Sequence, residues 1–232
     1  MDFSIIIPVL NEAQKIEALI QYLRHHSDER LLEIIVIDGG SQDGSVKIAI
    51  DSGAKVWSTT ASNRAIQMNQ GAKKSTGSVL YFIHADTIPP PTFLQDIEDS
   101  LAQGYSMGCY RYRFDSPKGL LSINAAFTRY PWLWCQGGDK TFFIKREVFF
   151  QLNMYDESYC VMEEYDFLRR SRPLYRLAIL PKEALVSARK YEGRSWLKVQ
   201  IANMVAFFLF RIGTNPQKIK STYSNLLGNP KK

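Results

Sequence analysis

The sequence lacks the features that define several common classes of protein. It contains 3 cysteines in 232 residues, and none forms a C-x-x-C pair, which argues against a disulfide framework and a thiolate zinc site. The longest apolar helical run, 201–210, is about half of the roughly 20 residues that cross a bilayer. The N-terminus enters a predicted strand without a basic region, an apolar region or a cleavage site. We therefore expect a cytoplasmic protein without a membrane span.

A missing glycine motif and a low share of acidic residues limit the classes of ligand that the protein can be expected to bind. Gly39, Gly40 and Gly44 do not have the G-x-G-x-x-G spacing of dinucleotide-binding enzymes, which disfavours a Rossmann dehydrogenase. Basic residues outnumber acidic ones, giving a formal net charge of +6 and a pI near 9.1, which favours an anionic partner such as a nucleotide diphosphate, a lipid headgroup or nucleic acid. A content of 45% hydrophobic and 22% charged residues is typical of a globular chain with one sizeable core.

Three apolar, β-branched runs each end in a polar cluster. The runs are 4–10, 34–37 and 79–83, and they are followed by Glu12, Asp38 and Asp86. Runs of this kind are typical of parallel strands buried on both faces, and in open α/β sheets ligands bind beyond the carboxyl ends of the strands. The pattern therefore predicts that the three acids face one crevice.

Helical periodicity between the strands predicts βαβ units. Asn11 is placed to cap a helix over residues 12–25, with Ile16, Leu19, Ile20 and Leu23 on its inner face. Further helices are expected over 45–52, 62–75, 92–102, 120–127, 194–212 and from 216 to about 227. Further strands are expected over 54–58, 105–114 and 140–144, and the tail 229–232 is expected to fray.

Two acids have both a ligand-binding and a structural interpretation. Asp38, followed by two glycines, can accept hydrogen bonds from a base or ribose; alternatively the segment is a turn in which Asp43 or Ser45 starts the next helix. Asp86 lies two residues after His84, on the same side of an extended chain, and one such oxygen ligand can hold Mg2+ or Mn2+ together with a substrate diphosphate and waters. Alternatively, Asp86 caps a turn and His84 is a satisfied strand-end histidine.

Four motifs in order resemble those of family 2 glycosyltransferases, which have the GT-A fold. They are Ser4-Ile5-Ile6-Ile7-Pro8-Val9-Leu10-Asn11-Glu12, Val36-Ile37-Asp38-Gly39-Gly40-Ser41-Gln42-Asp43-Gly44-Ser45, Arg64 with Asn69-Gln70-Gly71-Ala72, and His84-Ala85-Asp86-Thr87. The resemblance spans residues 3–190. It implies an α/β fold with a mostly parallel central sheet, and transfer of a sugar from a nucleotide-diphosphate donor, with inversion and a divalent cation, Mn2+ or Mg2+.

The resemblance also implies roles for individual residues. Pro8 and Glu12 would line the nucleotide crevice, Asp38 and Arg64 would lie near the nucleobase, and Asp86 would lie at the metal and ribose. His84 stands where many relatives carry the first Asp of D-x-D, so it is the second candidate metal ligand. A His-Ala-Asp-Thr variant occurs within the broader family.

An inverting transfer needs a base to take the acceptor's proton. Glu163-Glu164-Tyr165-Asp166 resembles the family's Glu-Asp motif and puts Glu164 at the base position, with glutamate replacing aspartate; Asp166 ranks second. Alternatively, these acids only complement the dipole at a helix N-terminus.

The acceptor side is expected around Trp132, Trp134, Gly137, Gly138 and Asp139, where tryptophans can stack on sugars or, alternatively, fill the core. Arg189 is expected either to meet the diphosphate or to lie in an exposed basic turn.

We expect a single domain, 1–232, with a nucleotide-binding half (1–104), an acceptor half (105–192) and C-terminal helices (193–232). The expected partners are a UDP-sugar donor and an acceptor that is a small molecule, a lipid or a glycan, with no nucleic acid. The helix over 194–213 either contacts an anionic membrane, at the inner face, or packs in a groove or dimer. A nucleotidyltransferase and a catalytically degenerate membrane-surface binding protein are the alternatives.

Overall fold

The computed structural model describes residues 1–59, 63–117, 119–137 and 140–228. These residues form a sheet with the strand order β3-β2-β1-β4-β7-β6-β8-β5. The strands are β1 (Phe3–Val9), β2 (Leu31–Asp38), β3 (Lys55–Ser58), β4 (Val79–Phe82), β5 (Thr87–Ile88), β6 (Met107–Phe114), β7 (Phe142–Lys145) and β8 (Leu177–Val186). The helices are α1 (Ile16–His25), α2 (Ser45–Asp51), α3 (Arg64–Lys74), α4 (Phe93–Ala102), α5 (Gly119–Phe127), α6 (Arg146–Gln151), α7 (Glu163–Ser171), α8 (Trp196–Arg211) and α9 (Pro216–Leu227).

The sheet is parallel in its N-terminal half and mixed beyond it. Strands β3, β2, β1 and β4 run parallel, as predicted. Strand β7 then pairs antiparallel with both β4 and β6, β8 pairs parallel with β6, and β5 pairs antiparallel with β8. The predicted parallel arrangement is therefore observed for β1 to β4, while β7 and β8 form the antiparallel pairs.

Alternation along β1 builds a core on each face of the sheet. Ile5 and Ile7 pack in the cluster that includes α1 and α4, whereas Ile6 packs in the cluster that includes α3, α6 and α7. Successive side chains of a strand point to opposite faces, so a run without polar residues is the sequence consequence of burial on both sides.

The position of Pro8 marks where the sheet opens. Strand β1 pairs with β4 only as far as Ile6, whose carbonyl accepts from Ile83 N at 3.0 Å, but its pairing with β2 continues to Val9. Backbone groups of alternate residues in a strand face the same neighbouring strand, so Pro8, like Ile6, faces β4. Because β4 no longer pairs with β1 at this position, the N–H that proline lacks has no partner in the sheet to lose. The divergence of β4 from β1 creates a crevice at the carboxyl edge.

The first helix differs from the expectation. Asn11 does not cap it: its backbone is left-handed (φ 56°), and its side-chain oxygen accepts from Gln42 N at 2.8 Å. Residues 12–15 form a turn closed by Lys15 N on Glu12 O at 3.0 Å, and α1 begins at Ile16. The Asn11 side chain therefore bonds the loop after β2 and does not cap α1.

Strands β5 and β8 and helix α6 were not expected from the sequence. Strand β8 is interrupted by three exposed residues, Pro181, Lys182 and Glu183, which lie opposite a register shift in its pairing with β6. This interruption hides the alternation of buried and exposed residues along β8. In the ranges given above, no helix is long and apolar enough to cross a membrane. The tail 229–232 lies outside the described residues.

Candidate active site

The loops after β1 and β2 are joined at the carboxyl edge. Asp38, 3% exposed, accepts from Gly40 N at 2.9 Å and Ser41 N at 3.1 Å. Ser41 Oγ in turn accepts from Asn11 N at 2.8 Å, and Ser45 Oγ accepts from Glu12 N at 2.8 Å. The Asp38 carboxylate therefore accepts hydrogen bonds within its own turn, and Ser45 at the start of α2 holds the backbone of Glu12.

Gln67 is a positioning residue that the sequence did not reveal. Its buried amide donates to Val9 O at 2.9 Å and to Ile37 O at 2.8 Å, so it joins the ends of β1 and β2. A Cβ at Gly39 would lie 3.0 Å from the same amide nitrogen. The glycine after Asp38 is explained by this close approach.

Arg189 brings together two of the three predicted crevice acids. Its guanidinium donates to both carboxylate oxygens of Glu12, at 2.5 and 3.0 Å, and lies 3.4 Å from Asp86 Oδ2. The hydrogen bond with Glu12 raises the pKa of Arg189 above its usual value. Half of the Arg189 side chain is exposed, so the cation lies at the open surface of the crevice.

The segment before Arg189 is anchored to the same edge. Lys15 Nζ donates to Ser187 Oγ at 3.0 Å, and Ser187 N donates to Asp86 O at 3.2 Å. Ala188 N donates to Asp115 Oδ1 at 2.7 Å. These bonds explain why an arginine so far along the chain reaches the end of β1.

The two candidate metal ligands have different neighbours. The chain turns after Ile83, closed by Thr87 N on His84 O at 3.0 Å, so strand alternation no longer places His84 and Asp86 on one side. His84 Nε2 lies 3.9 Å from Glu164 Oε1, and Asp86 approaches Arg189. Within the described residues, no cluster of three His, Cys, Asp or Glu side chains is arranged to hold a metal ion.

The acids of α7 separate into different environments. Glu163 lies 3.8 Å from Arg64 at the start of α3, and Glu164 lies beside His84. Asp166 is buried and accepts from Arg169 and Arg170, at 2.8 Å each. The structure thus pairs Glu163 with Arg64 and Glu164 with His84, while Asp166 forms ion pairs within its own helix.

The Asn69-Gln70-Gly71-Ala72 motif positions the chain that leads to α7. Asn69 exchanges hydrogen bonds with the Tyr155 backbone, accepting from its N–H at 3.0 Å and donating to its carbonyl at 2.9 Å. Asn63, which caps α3 through Ala65 N, donates to Glu157 O at 2.9 Å. Helix α3 therefore fixes the approach to Glu163 and Glu164.

The predicted acceptor side carries half-exposed aromatic rings. Trp132 and Trp134 are stacked, with centroids 5.6 Å apart, and Tyr130 stacks on Trp132 at 4.8 Å. They do not belong to the core. Gly137 lies against α7, because a Cβ there would lie 2.6 Å from Tyr165 Oη. Gly138 and Asp139 lie outside the described residues.

A buried lysine lies behind Glu164. Lys140 Nζ donates to Gln136 Oε1 at 2.8 Å and to Thr128 O at 2.9 Å. It thereby joins the two ends of segment 128–136, here called the aromatic loop, which carries Tyr130, Trp132 and Trp134. It lines a cavity of about 20 Å³, room for about one water, together with Glu164 and Cys109. Burial raises the pKa of the Cys109 thiol. Motif analysis did not single out Lys140.

The architecture matches that of solved glycosyltransferases. Glucosyl-3-phosphoglycerate synthase from Mycobacterium tuberculosis, crystallised with Mn2+, UDP-glucose and phosphoglyceric acid, aligns over 92% of this chain and 80% of its own, with a TM-score of 0.66 and 21% identity. The structure of residues 1–349 of S. aureus TarS covers 98% of this chain and 71% of that one, with a TM-score of 0.67 and 14% identity. The chain therefore has the GT-A fold.

Sequence comparison defines the family. Residues 4–162 match the model for glycosyl transferase family 2, and the chain belongs to that family. It is 31% identical over 104 residues to glycosyltransferase AglE of Haloferax volcanii, covering 40% of this chain and 33% of that protein. It is 36% identical over 115 residues to the succinoglycan biosynthesis protein ExoA of Rhizobium meliloti, covering 43% and 33%. The matched segments span about a third of these relatives' length.

Proposed function

We propose that this protein transfers a sugar from a UDP-sugar to an acceptor hydroxyl with inversion. The observation that carries the proposal is the contact of Arg189 with both Glu12 and Asp86 at the carboxyl edge of the parallel strands. An exposed cation between two acids in this crevice is suited to a diphosphate that carries a metal ion. The UDP-glucose bound to glucosyl-3-phosphoglycerate synthase, a protein of the same fold, supports the choice of donor.

The chemistry assigns separate tasks to the two sides of the crevice. Glu164 accepts the proton of the acceptor hydroxyl while the acceptor oxygen forms a bond to the anomeric carbon. The bond from that carbon to the diphosphate oxygen breaks on the opposite face, and UDP leaves with the electron pair. Arg189 stabilises the negative charge that develops on the leaving diphosphate. Arg64 and Asp38 are proposed to lie near the nucleobase.

The donor set fits a divalent cation whose coordination is completed by substrate. Asp86 offers a partly exposed carboxylate, the hard oxygen ligand that Mn2+ and Mg2+ prefer, and His84 is the second candidate. With few protein ligands, the diphosphate and waters would supply the remaining positions. When bound, the cation supplies Lewis-acid stabilisation of the diphosphate charge. The Mn2+ and Mg2+ complexes of glucosyl-3-phosphoglycerate synthase support this proposal.

The acceptor is proposed to enter past Trp132 and Trp134, whose half-exposed rings suit a sugar face, a small molecule or a lipid. A cytoplasmic location is also proposed, and the three free cysteines support it.

The test is metal-dependent binding and turnover of the donor. UDP with Mn2+ should raise the melting temperature of the wild-type protein, because a ligand stabilises a protein through its affinity for the folded state. UDP-glucose with Mn2+ should release UDP slowly even without acceptor. The Asp86→Ala protein should lose the Mn2+-dependent part of both signals.

Asp51→Ala is the matched control, because Asp51 is an exposed acid on α2 that pairs only with Lys47 at 2.5 Å among the contacts described. It should behave as wild type. A Mn2+-dependent shift that persists in Asp86→Ala would contradict the metal assignment. UDP binding without turnover of any UDP-sugar tested with an acceptor panel would favour the degenerate binding protein.

A further inference from the structure

Helix α8 is apolar on two opposite faces. Its inner face is formed by Val199, Ala202, Ala206 and Phe210, which are buried. Its outer face carries Leu197, Ile201, Met204, Phe208 and, at the C-terminal end, Ile212, which are 41% to 65% exposed. These positions recur every three or four residues, so they form one stripe opposite the core. A helix that is apolar all round is normally covered on both sides.

Two more exposed apolar segments adjoin α8. Tyr191 Oη accepts from Asn124 Nδ2 of α5 at 2.9 Å and from Gln200 Nε2 of α8 at 3.4 Å, which makes the two helices neighbours. Helix α5 exposes Leu120, Ile123 and Phe127.

The stacked rings of Tyr130, Trp132 and Trp134 are anchored by Leu133, which packs against the cluster containing Ala206 and Phe210 of α8. We name the outer stripe of α8, the exposed side chains of α5 and these three rings the apolar platform.

The described segments that form the apolar platform carry charges of one sign. Residues 193–228 contain no aspartate or glutamate, but they contain Arg194, Lys198, Arg211, Lys218 and Lys220. Residues 119–137 likewise have no acid and contain Arg129. A second copy placed on this surface by a two-fold axis would bring cations against cations. An anionic surface with an apolar interior would pair with these cations and would also cover the exposed apolar side chains.

We propose that the apolar platform lies in the interface of an anionic lipid bilayer. The apolar stripe inserts at the boundary of the acyl chains, tyrosine and tryptophan take the interfacial position that their polar atoms favour, and the surrounding lysines and arginines contact lipid phosphates. This inference goes beyond the proposed transfer reaction and does not depend on it. Because the platform includes the rings of the proposed acceptor side, a bound bilayer would lie beside the acceptor entrance.

The test is co-sedimentation with vesicles. The wild-type protein should sediment with phosphatidylglycerol-containing vesicles at low salt, and at least about tenfold less with pure phosphatidylcholine vesicles. High salt should weaken binding because it screens the cations. The Met204→Ser/Phe208→Ser protein should lose binding with its melting temperature unchanged, since both side chains are exposed. Its UDP release in the absence of vesicles should equal that of wild type.

Ile50→Ser/Leu174→Ser is the matched control, because Ile50 and Leu174 are 54% and 69% exposed but lie on α2 and after α7. It should sediment as wild type does. Equal binding of the Met204→Ser/Phe208→Ser protein, or no binding of wild type to anionic vesicles, would overturn the proposal. A concentration-dependent dimer that this variant abolishes, seen by sedimentation velocity without vesicles, would assign the surface to a second copy instead.

Discussion

His84 Nε2 lies 3.9 Å from Glu164 Oε1, which joins the turn after β4 to the first turn of α7. These are the two positions at which the resemblance to family 2 leads us to expect an aspartate in many relatives. In this structure the two side chains are neighbours. Because residue 84 is a histidine and not an aspartate, its side chain places no negative charge beside Glu164, the proposed base.

We predict that His84→Asp moves the acid limb of the pH–rate profile to higher pH. A second carboxylate beside Glu164 would disfavour the ionised form of the base, so activity would be lost earlier as the pH falls. His84→Asn, which introduces no negative charge, should move the limb less than His84→Asp does. Rates of UDP release measured across pH would decide, and identical limbs for both variants would show that the two side chains are not coupled.

We predict that Glu164→Gln lowers turnover by at least about 100-fold, because the amide cannot accept the acceptor's proton. UDP affinity should change little. Asp166→Asn should act on stability instead, since it removes the buried carboxylate that pairs with the partly exposed Arg169 and Arg170, at a cost of about 1–3 kcal/mol. Kinetics and urea unfolding of both proteins separate these effects. A stable but inactive Asp166→Asn protein with an active Glu164→Gln protein would assign the base to Asp166.

A pH prediction comes from Glu33, whose side chain is 1% exposed. Burial alone would raise its pKa, but hydrogen bonds from Lys55, Thr76 and Ser4 outweigh it and lower the pKa from 4.5 to about 2. The folded-state pKa is depressed, so the stabilisation is present above pH 4.5 and is lost as the pH falls toward 2.

Glu33→Gln should lower the free energy of unfolding at neutral pH by about 3 kcal/mol. It should also flatten the pH dependence of that free energy in this window. Urea unfolding at a series of pH values measures both effects, and Asp51→Gln is the exposed control. Parallel curves for Glu33→Gln and wild type would refute the assignment.

We predict that Gly137→Ala impairs turnover through Tyr165. The added methyl would lie 2.6 Å from Tyr165 Oη, so the Tyr165 ring, the segment around Gly137 or the start of α7 must shift, and Glu164 precedes Tyr165. Removing the hydroxyl relieves the clash, because the ring carbon is 3.5 Å from the same point. The Gly137→Ala/Tyr165→Phe protein should therefore recover activity toward the level of Tyr165→Phe alone. Failure of that rescue would place the defect elsewhere.

The four parallel strands were predictable from the sequence because their signals are local. Each buried parallel strand is a short apolar run, and each ends at an acid that marks the edge of the sheet. Strand β8 was missed because Pro181, Lys182 and Glu183 break the alternation. The Asn11 prediction was wrong because its side chain bonds the neighbouring loop, at Gln42, instead of its own helix.

The site was predictable only in part, for a related reason. Glu12, Asp86 and Glu164 could be named from motifs, but their partners could not. Arg189 reaches Glu12 across 177 positions of chain, and the contacts of Gln67 and Lys140 depend on strands and loops meeting in three dimensions. No local spacing encodes such contacts.

The contact between Arg189 and Glu12 has a consequence for the order of events during synthesis. Domains emerge from the ribosome with the N-terminus first, so the acids of the crevice are made long before the cation that joins them. A nascent chain that ends before residue 189 carries Glu12 and Asp86 without that cation. With the role proposed for Arg189, the diphosphate contacts would be completed only after α7, which carries Glu164, has been synthesised.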